Sequence, residues 1–552
     1  MEELILKHVL INALEHEGKA NIQAVIGRVI SEDDSLRAII KKIIPEIKRI
    51  VQEVNSLSME NQRKRLHSIG EKMEKKEIKQ EGLPELPNAK VGKVVLRLAP
   101  FPSGPLHIGN SRMVILNDEY AKRYKGKLLL VIDDTIGSEE KQILPEAYKM
   151  IEDGLKWLKV KFHKKFYKSD RLKIFYYAAE QLIKKGAAYV CECDVETLRE
   201  NRVGGIVCVH RSENVEKTLK KWKLMLKGKY KEGEAILRLK SDMQHPNPAF
   251  RDRVLFRVAK RSHPRTKKKY KVWPMLEFSW AVDDYKFGIT HIIRGKDLVI
   301  EDMMEDFIWD LMEWKKAEII HHGFLRIGDV KLSKTGSRKA IVKGAYSGWD
   351  DPRTWSMQSL AKRGIQPEAV RNFVISMGLS MADVAIPEEI LYSENRKLID
   401  AKANRYFAVL DPLEISVADG KLKSAKMNLH PDFPKRGARK IAVNPKKIYV
   451  DREDFDKFFD KEVGLINLAT IKLKKNSMIT STNVQYDVQK IHWVSEPNVK
   501  IKIVMPDGSV RKALAEAGVR KLKVGGLVQF FRVGFCKVDK VGKETVLYFT
   551  HK

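Results

Sequence analysis

A chain of 552 residues is long enough for several domains of about 100–200 residues each. Lys and Arg number 104 against 72 Asp and Glu, a formal net charge of +32, which suits a polyanionic partner such as nucleic acid or a surface adapted as a whole to an unusual environment. Four cysteines exclude a disulfide framework and fit a reducing compartment. The strongest apolar run, LLLVI at 128–132, is far short of the about 20 residues that cross a bilayer, so the expectation is a soluble, cytoplasmic protein with no membrane association.

Residues 1–90 read as helices and a linker. Leu4, Ile5, Val9, Leu10 and Leu14 form one apolar stripe, and Gly18 suits a helix C-terminus. The N-terminal segment lacks the basic start and apolar block of a signal peptide. The charged stretch SMENQRKRLHSIGEKMEKKEIKQEGLPELPNAK reads as a solvated helix running into a proline-marked linker. From 91 to 190, apolar strands (KVVLRLA, GKLLLVID) alternate with helical segments, the pattern of a parallel sheet with helical crossovers. Residues 191–270 break that rhythm, 271–345 resume it, and 346–405 are helical. From 406 to 552, short β-rich runs separated by Gly, Asn, Asp and Pro predict antiparallel β-barrels.

The chemistry concentrates at APFPSGPLHIGNS (99–111), which lies between a strand and a helix. The free N–H groups at the start of a helix, with its dipole, favour an anion. Gly109 lets a nucleotide lie against the backbone, Gly104 permits the turn, and His107 can donate to a phosphate oxygen that gains charge. Alone, such a turn is more often structural. A second segment, DVKLSKTGSRKA (329–340), places Lys331 and Lys334 on either side of Ser333 at the end of the second alternating half. Two ammonium groups there can hold the charge of a departing pyrophosphate.

These two segments resemble the HIGH and KMSKS signatures of class I aminoacyl-tRNA synthetases. Further stretches narrow the resemblance to the archaeal-type glutamyl-tRNA synthetases of the glutamyl/glutaminyl subfamily: VIDDT, RDRVLFRV, VDDYKFGITHIIRGKDL, GWDDPRTWSMQSLAKRGI, SENRKLIDAKANRYF and LHPDFPKRGARKI. The first signature ends in Asn110 rather than His, and the second reads Lys-Leu-Ser-Lys-Thr. The resemblance implies an α/β multidomain protein. Its parts would be a Rossmann-type catalytic domain in two halves (91–190 and 271–345), an acceptor-end-binding insertion (191–270), a helical connecting domain (346–405) and an anticodon-binding barrel region (406–552).

The implied reaction is ATP-dependent formation of glutamyl-adenylate, then transfer to the 3′ end of tRNA(Glu), with charging of tRNA(Gln) left open. Mg2+ accompanies ATP, and the expected state is a monomer. His107, Lys331 and Lys334 would be catalytic. Pro100, Ser103, Gly104, His107, Gly109, Asn110, Lys331, Ser333 and Lys334 would bind ATP. Arg97, Asp133 and Arg294 would bind the amino acid, Asp133 through its α-amino group. At the position of Arg294 the glutaminyl enzymes have a neutral residue, so glutamine is expected to leave this guanidinium short of a counter-charge. A glutaminyl-tRNA synthetase is the nearest alternative, and an HxGH-type nucleotidyltransferase is a distant one.

Cys191, Cys193, Cys208 and His210 spell CxC, a 14-residue gap, then CxH. Soft thiolates with one imidazole suit a tetrahedral, structural Zn2+, the alternative being a relic of a lost site. Within the same insertion, KTLKKWKLMLKGKYK offers lysines to tRNA phosphates.

Overall fold

The structure, a computed structural model, describes residues 2–15, 18–33, 36, 39–69, 82–137, 142–328, 330, 332–418, 422–485 and 487–552. It divides into two compact units, Met1–Leu83 and Pro84–Lys552.

The first unit holds four helices, α1 (Glu2–Glu15), α2 (Ile22–Glu32), α3 (Ile40–Asn55) and α4 (Met59–Ser68). The stripe on α1 buries Ile5, Val9 and Leu10 against Val25, Val29, Ile47, Ile50 and Leu66. Gly18 has φ +88° and donates its N–H to the Ala13 carbonyl, a glycine cap of the kind its position suggested. Buried Gln62 donates to the carbonyls of Gly18 and Val54, both at 2.8 Å, which satisfies two backbone groups that water cannot reach. The expected continuation of the solvated helix past residue 69 and most of the linker, 70–81, lie outside the described residues.

The second unit opens with β1 (Val95–Leu98), α5 (Ile108–Arg123), β2 (Lys127–Ile132), α6 (Pro145–Trp157), β3 (Lys164–Tyr167) and α7 (Leu172–Lys184). Next come β4 (Ala188–Cys191), α8 (Val195–Gly204), α9 (Val215–Leu226), β5 (Ile236–Leu239), β6 (Val254–Val258) and β7 (Val272–Pro274). There follow α10 (Leu276–Phe287), β8 (His291–Gly295), α11 (Val299–Met312), β9 (Glu318–His322), β10 (Leu325–Ile327) and α12 (Lys334–Val342). The helical segment after them contains α13 (Met357–Arg363), α14 (Pro367–Ser376), the short strand β11 (Val384–Ile386) and α15 (Glu388–Ile399).

β1, β2 and β3 are parallel neighbours, and β8 is parallel to β9. The two groups meet through Thr290, whose N–H reaches the Val95 carbonyl at 3.0 Å and whose hydroxyl accepts from the Val95 N–H at 2.9 Å. The strand order is therefore β3-β2-β1-β8-β9. The order reverses between β1 and β8, the place where open α/β sheets bind ligands at the carboxyl ends of their strands. Between the two halves, β4 to β7 form a separate antiparallel sheet.

The C-terminal region carries two seven-stranded sheets. In one, strands 404–406 and 408–409 lie at opposite edges although a single residue, Phe407, separates them. In the other, strands 489–491 and 494–495 do the same across His492 and Trp493. A sheet whose two edges are joined by one or two residues must curl nearly shut, so both are barrels. The second barrel, 412–495, is inserted into the first, which resumes at 498–551. Both are mixed rather than strictly antiparallel, because strand 545–551 returns beside 498–504 in the same direction, and 476–481 beside 412–417 likewise.

One short helix joins the α/β half to the barrels. Arg363 at the end of α13 is fully buried and donates to the Tyr392 hydroxyl at 2.7 Å and to the Thr550 carbonyl at 3.1 Å. Gly364 follows at φ +91°, with Thr550 Oγ1 and Leu527 Cδ2 both 2.9 Å from where a Cβ would sit. Arg363→Met leaves the Thr550 carbonyl and the Tyr392 hydroxyl short of a donor in a dry site, a loss of about 3 kcal/mol. The urea midpoint of the barrel transition, followed by hydrogen exchange of strand 545–551, is expected to fall accordingly. An unchanged midpoint would mean that Arg363 does not hold this junction.

Candidate active site

The first signature turn is held by reciprocal hydrogen bonds. His107 caps α5: its Nδ1 accepts from the Gly109 N–H at 3.1 Å, while Asn110 Oδ1 accepts from the His107 N–H at 3.2 Å. With Nδ1 an acceptor, the proton of the neutral ring sits on Nε2. Burial, then the nearby Lys334 ammonium, lowers the His107 pKa to about 3, so the ring is neutral at pH 7. A Cβ on Gly109 would stand 3.0 Å from His107 Cε1 and 3.1 Å from Leu332 Cδ1, so the glycine lets the second signature approach the first. Gly104 also serves closeness, since a Cβ there would be 2.8 Å from the Trp349 ring. The Pro100 carbonyl accepts from the Asp133 N–H at 3.1 Å, tying the turn to the end of β2, and the Ser103 N–H closes on the Phe101 carbonyl.

Ser333 caps α12, its hydroxyl accepting from the Gly336 N–H at 3.0 Å, and Lys334 is the first residue of that helix. Lys331 lies outside the described residues. The structure thus brings His107, Gly109, Leu332 and Lys334 together at two helix starts.

Below them, at the sheet reversal, lies a buried array of charge around Trp280. The guanidinium carbons of Arg97 and Arg294 each lie 4.9 Å from the indole centre, and Lys168 Nζ lies 5.3 Å from it. Arg97 makes a bidentate pair with Asp284, both bonds at 2.7 Å. Asp133, at the end of β2, accepts from the Thr135 hydroxyl at 3.0 Å and faces Lys168 at 3.4 Å. Lys168, with no exposed surface, also donates to Ser279 Oγ at 2.6 Å; burial lowers its pKa. Burial holds the Asp283 carboxyl up to about 6 against its pair with Arg171.

Arg294 sits at the end of β8, with Glu305 at 2.7 Å and Asp302 in contact, and Asp302 in turn pairs with His321. The sequence-based argument that glutamine would leave Arg294 without a counter-charge therefore needs correction. Two resident carboxylates already neutralise it, because a bare guanidinium at 2 % exposure is too costly to fold. Lys168, Trp280, Asp284 and Glu305 were not singled out from the sequence. Asp284 stands in VDDYKFG, a stretch that carries the family resemblance but gives its acids no role, whereas Lys168 in KKFYKSD looks like any surface lysine of a basic chain.

In the insertion, Cys191, Cys193, Cys208 and His210 offer four ligand atoms all within 4.8 Å of one another. Cys208 Sγ lies 3.6 Å from Cys191 Sγ, 3.4 Å from Cys193 Sγ and 3.2 Å from His210 Nδ1. Tetrahedral thiolates at the usual zinc–sulfur distance stand about 3.7 Å apart, so the donor set fits a zinc ion. His210 Nε2 faces Glu192 at 3.7 Å, the kind of carboxylate that orients a ligating imidazole. On α9, Lys221 is committed to Glu192 and Glu213 at 2.7 Å each, and Lys217 pairs with Glu213, while Lys220 and Lys223, with Lys227 and Lys229 just after the helix, are exposed. On the barrels, Phe433, Phe459 and Phe531 are exposed at 44 %, 52 % and 40 %, which separates them from the core aromatics. Among the described residues no helix is long and apolar enough to cross a membrane.

Comparison with known proteins agrees with this geometry along the chain. Residues 93–400 match the catalytic domain of the class I (E and Q) tRNA synthetases, and 403–488 and 490–539 match their anticodon-binding domains. The chain is 43 % identical over 572 residues to the glutamate–tRNA ligase of Pyrococcus abyssi and 44 % identical over 571 residues to that of Pyrococcus horikoshii, with all of each chain covered. It is 40 % identical over 550 residues to the glutamate–tRNA ligase of Methanocaldococcus jannaschii, covering 98 % of both. Two signature helix starts above a buried pocket of arginines, in a chain matched from residue 93 to 539, have one explanation: the chain belongs to the class I (E and Q) tRNA synthetases.

Proposed function

We infer that this chain is a glutamate–tRNA ligase, which activates L-glutamate with ATP and transfers it to tRNA(Glu). The observation that carries the choice of glutamate is the 43 %, 44 % and 40 % identity to glutamate–tRNA ligases over nearly the whole chain, with the buried guanidinium of Arg294 as the group that would meet the second carboxylate. A dicarboxylate entering a dry pocket needs cationic partners, and arginine meets a carboxylate with two parallel hydrogen bonds.

In this reading the α-carboxylate attacks the α-phosphorus of Mg-ATP, Mg2+ entering as part of the substrate, and pyrophosphate leaves. A ribose hydroxyl at the tRNA end then takes the acyl group and AMP leaves. No protein nucleophile is required, so the work of the chain is positioning and charge stabilisation. His107 Nε2–H donates to a phosphate oxygen, Lys331 and Lys334 hold the pyrophosphate charge, and Asp133 receives the α-amino group. The Cys/His cluster would hold a structural zinc that ties β4 to the segment after α8. Exposed lysines of α9 suit acceptor-stem phosphates, and Phe433, Phe459 and Phe531 suit stacking on unpaired anticodon bases.

The decisive assay is charging of purified tRNA(Glu) with glutamate and with glutamine, with tRNA(Gln) in parallel. Glutamate on tRNA(Glu) is expected; preferential charging with glutamine would reverse the amino-acid assignment.

His107→Asn keeps an oxygen acceptor for the Gly109 N–H, because Asn is a good helix cap, but removes the ring donor. Adenylate formation, read as pyrophosphate exchange in the presence of tRNA, is expected to slow by about a hundredfold, on the order of 3 kcal/mol. The wild-type rate should show no limb from this residue between pH 5 and 8. A lowered histidine pKa leaves the neutral form present at every pH above about 3. A normal rate in the variant would remove His107 from the mechanism.

Purified protein that has never met a chelator is expected to contain about one zinc per chain. Cys208→Ser should release it and weaken aminoacylation more than ATP binding. Metal analysis without zinc would favour a relic site.

A further inference from the structure

The pocket contains one carboxylate too many. If Arg294 receives the substrate side chain, as the reading above holds and on which this inference rests, a third negative charge arrives where Glu305 and Asp302 already share that guanidinium. Arg97 cannot relieve it, being spent on Asp284. Like charges gathered in a dry site cannot all stay ionised. One of the resident carboxylates must give up its charge when glutamate binds.

The structure identifies which one. Asp302 has a second partner in His321 on β9 and is partly exposed, with 10 % of its side chain accessible. The Glu305 side chain has no exposed surface and rests on Arg294 alone, through Oε1. Its other oxygen, Oε2, is buried without a hydrogen-bond partner, and so are Arg294 Nε and Trp280 Nε1, the latter on the indole that the Arg294 guanidinium faces. Apart from Arg294 Nη2 and Asp302 Oδ1, which touch each other, the cluster thus leaves two donors and one acceptor unused, the complement of a bound carboxylate plus one proton. The ligand oxygens accept from Arg294 and Trp280, and a protonated Glu305 donates from Oε2. The charged groups facing Glu305 are Arg294 from β8, Arg97 from β1 and Asp284 from α10. Asp302 is on its own helix, and Arg253, just before β6, is occupied by Glu277 and by Glu301, one turn from Glu305 on α11. Burial, opposed by Arg294, already holds the Glu305 carboxyl up to about 7.

We propose that Glu305 is a specificity-determining residue: it is the resident counter-ion of Arg294, and it takes up a proton and yields the guanidinium when the side-chain carboxylate of glutamate binds. The neutral amide of glutamine demands no such exchange and can donate to an ionised Glu305. Protonation of Glu305 therefore favours glutamate, and its ionisation favours glutamine.

The test measures aminoacylation of tRNA(Glu) from pH 6 to 8.5. Binding coupled to uptake of one proton makes KM for glutamate rise about tenfold per pH unit above the titration of Glu305, with kcat unaffected. KM for glutamine should stay level or fall. Glu305→Gln, permanently neutral, should flatten the glutamate profile at its low-pH value. Titration calorimetry of glutamate into the wild-type protein–tRNA complex at pH 8, in two buffers of different ionisation heat, should report uptake of about one proton and requires no variant. A flat wild-type KM, absence of proton uptake, or a Glu305→Gln profile with the wild-type slope would each overturn the proposal. Arg294→Gln separates this from the underlying reading. If its losses with glutamate and glutamine are equal, the assignment of Arg294 itself fails. If it selectively harms glutamate while proton uptake is absent, only the role of Glu305 falls.

Discussion

The costliest feature of this chain is the burial of several full charges around one indole. Arg97, Lys168 and Arg294 lie about Trp280, and Asp133, Asp284, Asp302 and Glu305 answer them, each buried or nearly so. An apolar core of the same volume would be as stable or more so. The array survives because strand ends and two helices hold its members at fixed positions: Arg97 at the end of β1, Asp133 at the end of β2, Arg294 at the end of β8, Trp280 and Asp284 on α10, Glu305 on α11. The order reversal between β1 and β8 is what gathers these termini. Thr290 closes that junction with two hydrogen bonds to Val95, so a single threonine helps to set the spacing between the two arginines.

Above the pocket the logic is reversed. There the backbone supplies the positive field, through the first turns of α5 and α12, and the side chains mainly hold those turns in place. His107 illustrates the economy of this arrangement. One nitrogen satisfies the helix, which leaves the other protonated and free of that duty. Burial then keeps the ring neutral, so it retains an N–H donor without adding charge beside the lysine of the second signature.

What the sequence disclosed follows from the range of the interactions involved. The signatures, the alternation of strands and helices, the thiol cluster and the Gly18 cap depend on neighbours within a few residues, and all were legible. Asn110 was read as a nucleotide contact; its oxygen also accepts from the His107 N–H, completing a capping box in the place more usual for Glu or Gln. The counter-ions were not legible, because Arg97–Asp284 and Lys168–Asp133 join residues far apart in sequence. Even Glu305, only 11 positions from Arg294, gave no signal, since a glutamate on a helix is ordinarily solvated. The barrels were readable as β-rich, but not the insertion of one within the other, which only long-range pairing fixes.

The placement of α13 gives these separate parts a mechanical relation. Its leading residues pair with the first signature: the Met357 N–H reaches the Leu106 carbonyl at 2.9 Å, and the Trp355 carbonyl accepts from the Ile108 N–H at 3.0 Å. Trp349, whose carbonyl accepts from the hydroxyls of Thr354 and Ser356, fills the space that Gly104 leaves open. The other end of the same helix is Arg363, anchored to the last strand of the first barrel. Seven residues of helix, about 10 Å, therefore separate the backbone of the first signature turn from the first barrel. At both ends backbone or buried polar hydrogen bonds add to the apolar packing of Met357 and Leu360. Such bonds tolerate little sliding, since a shift of an ångström breaks them. A displacement of strand 545–551 must then either tilt α13, and with it the turn that carries His107, or sacrifice buried bonds at one end.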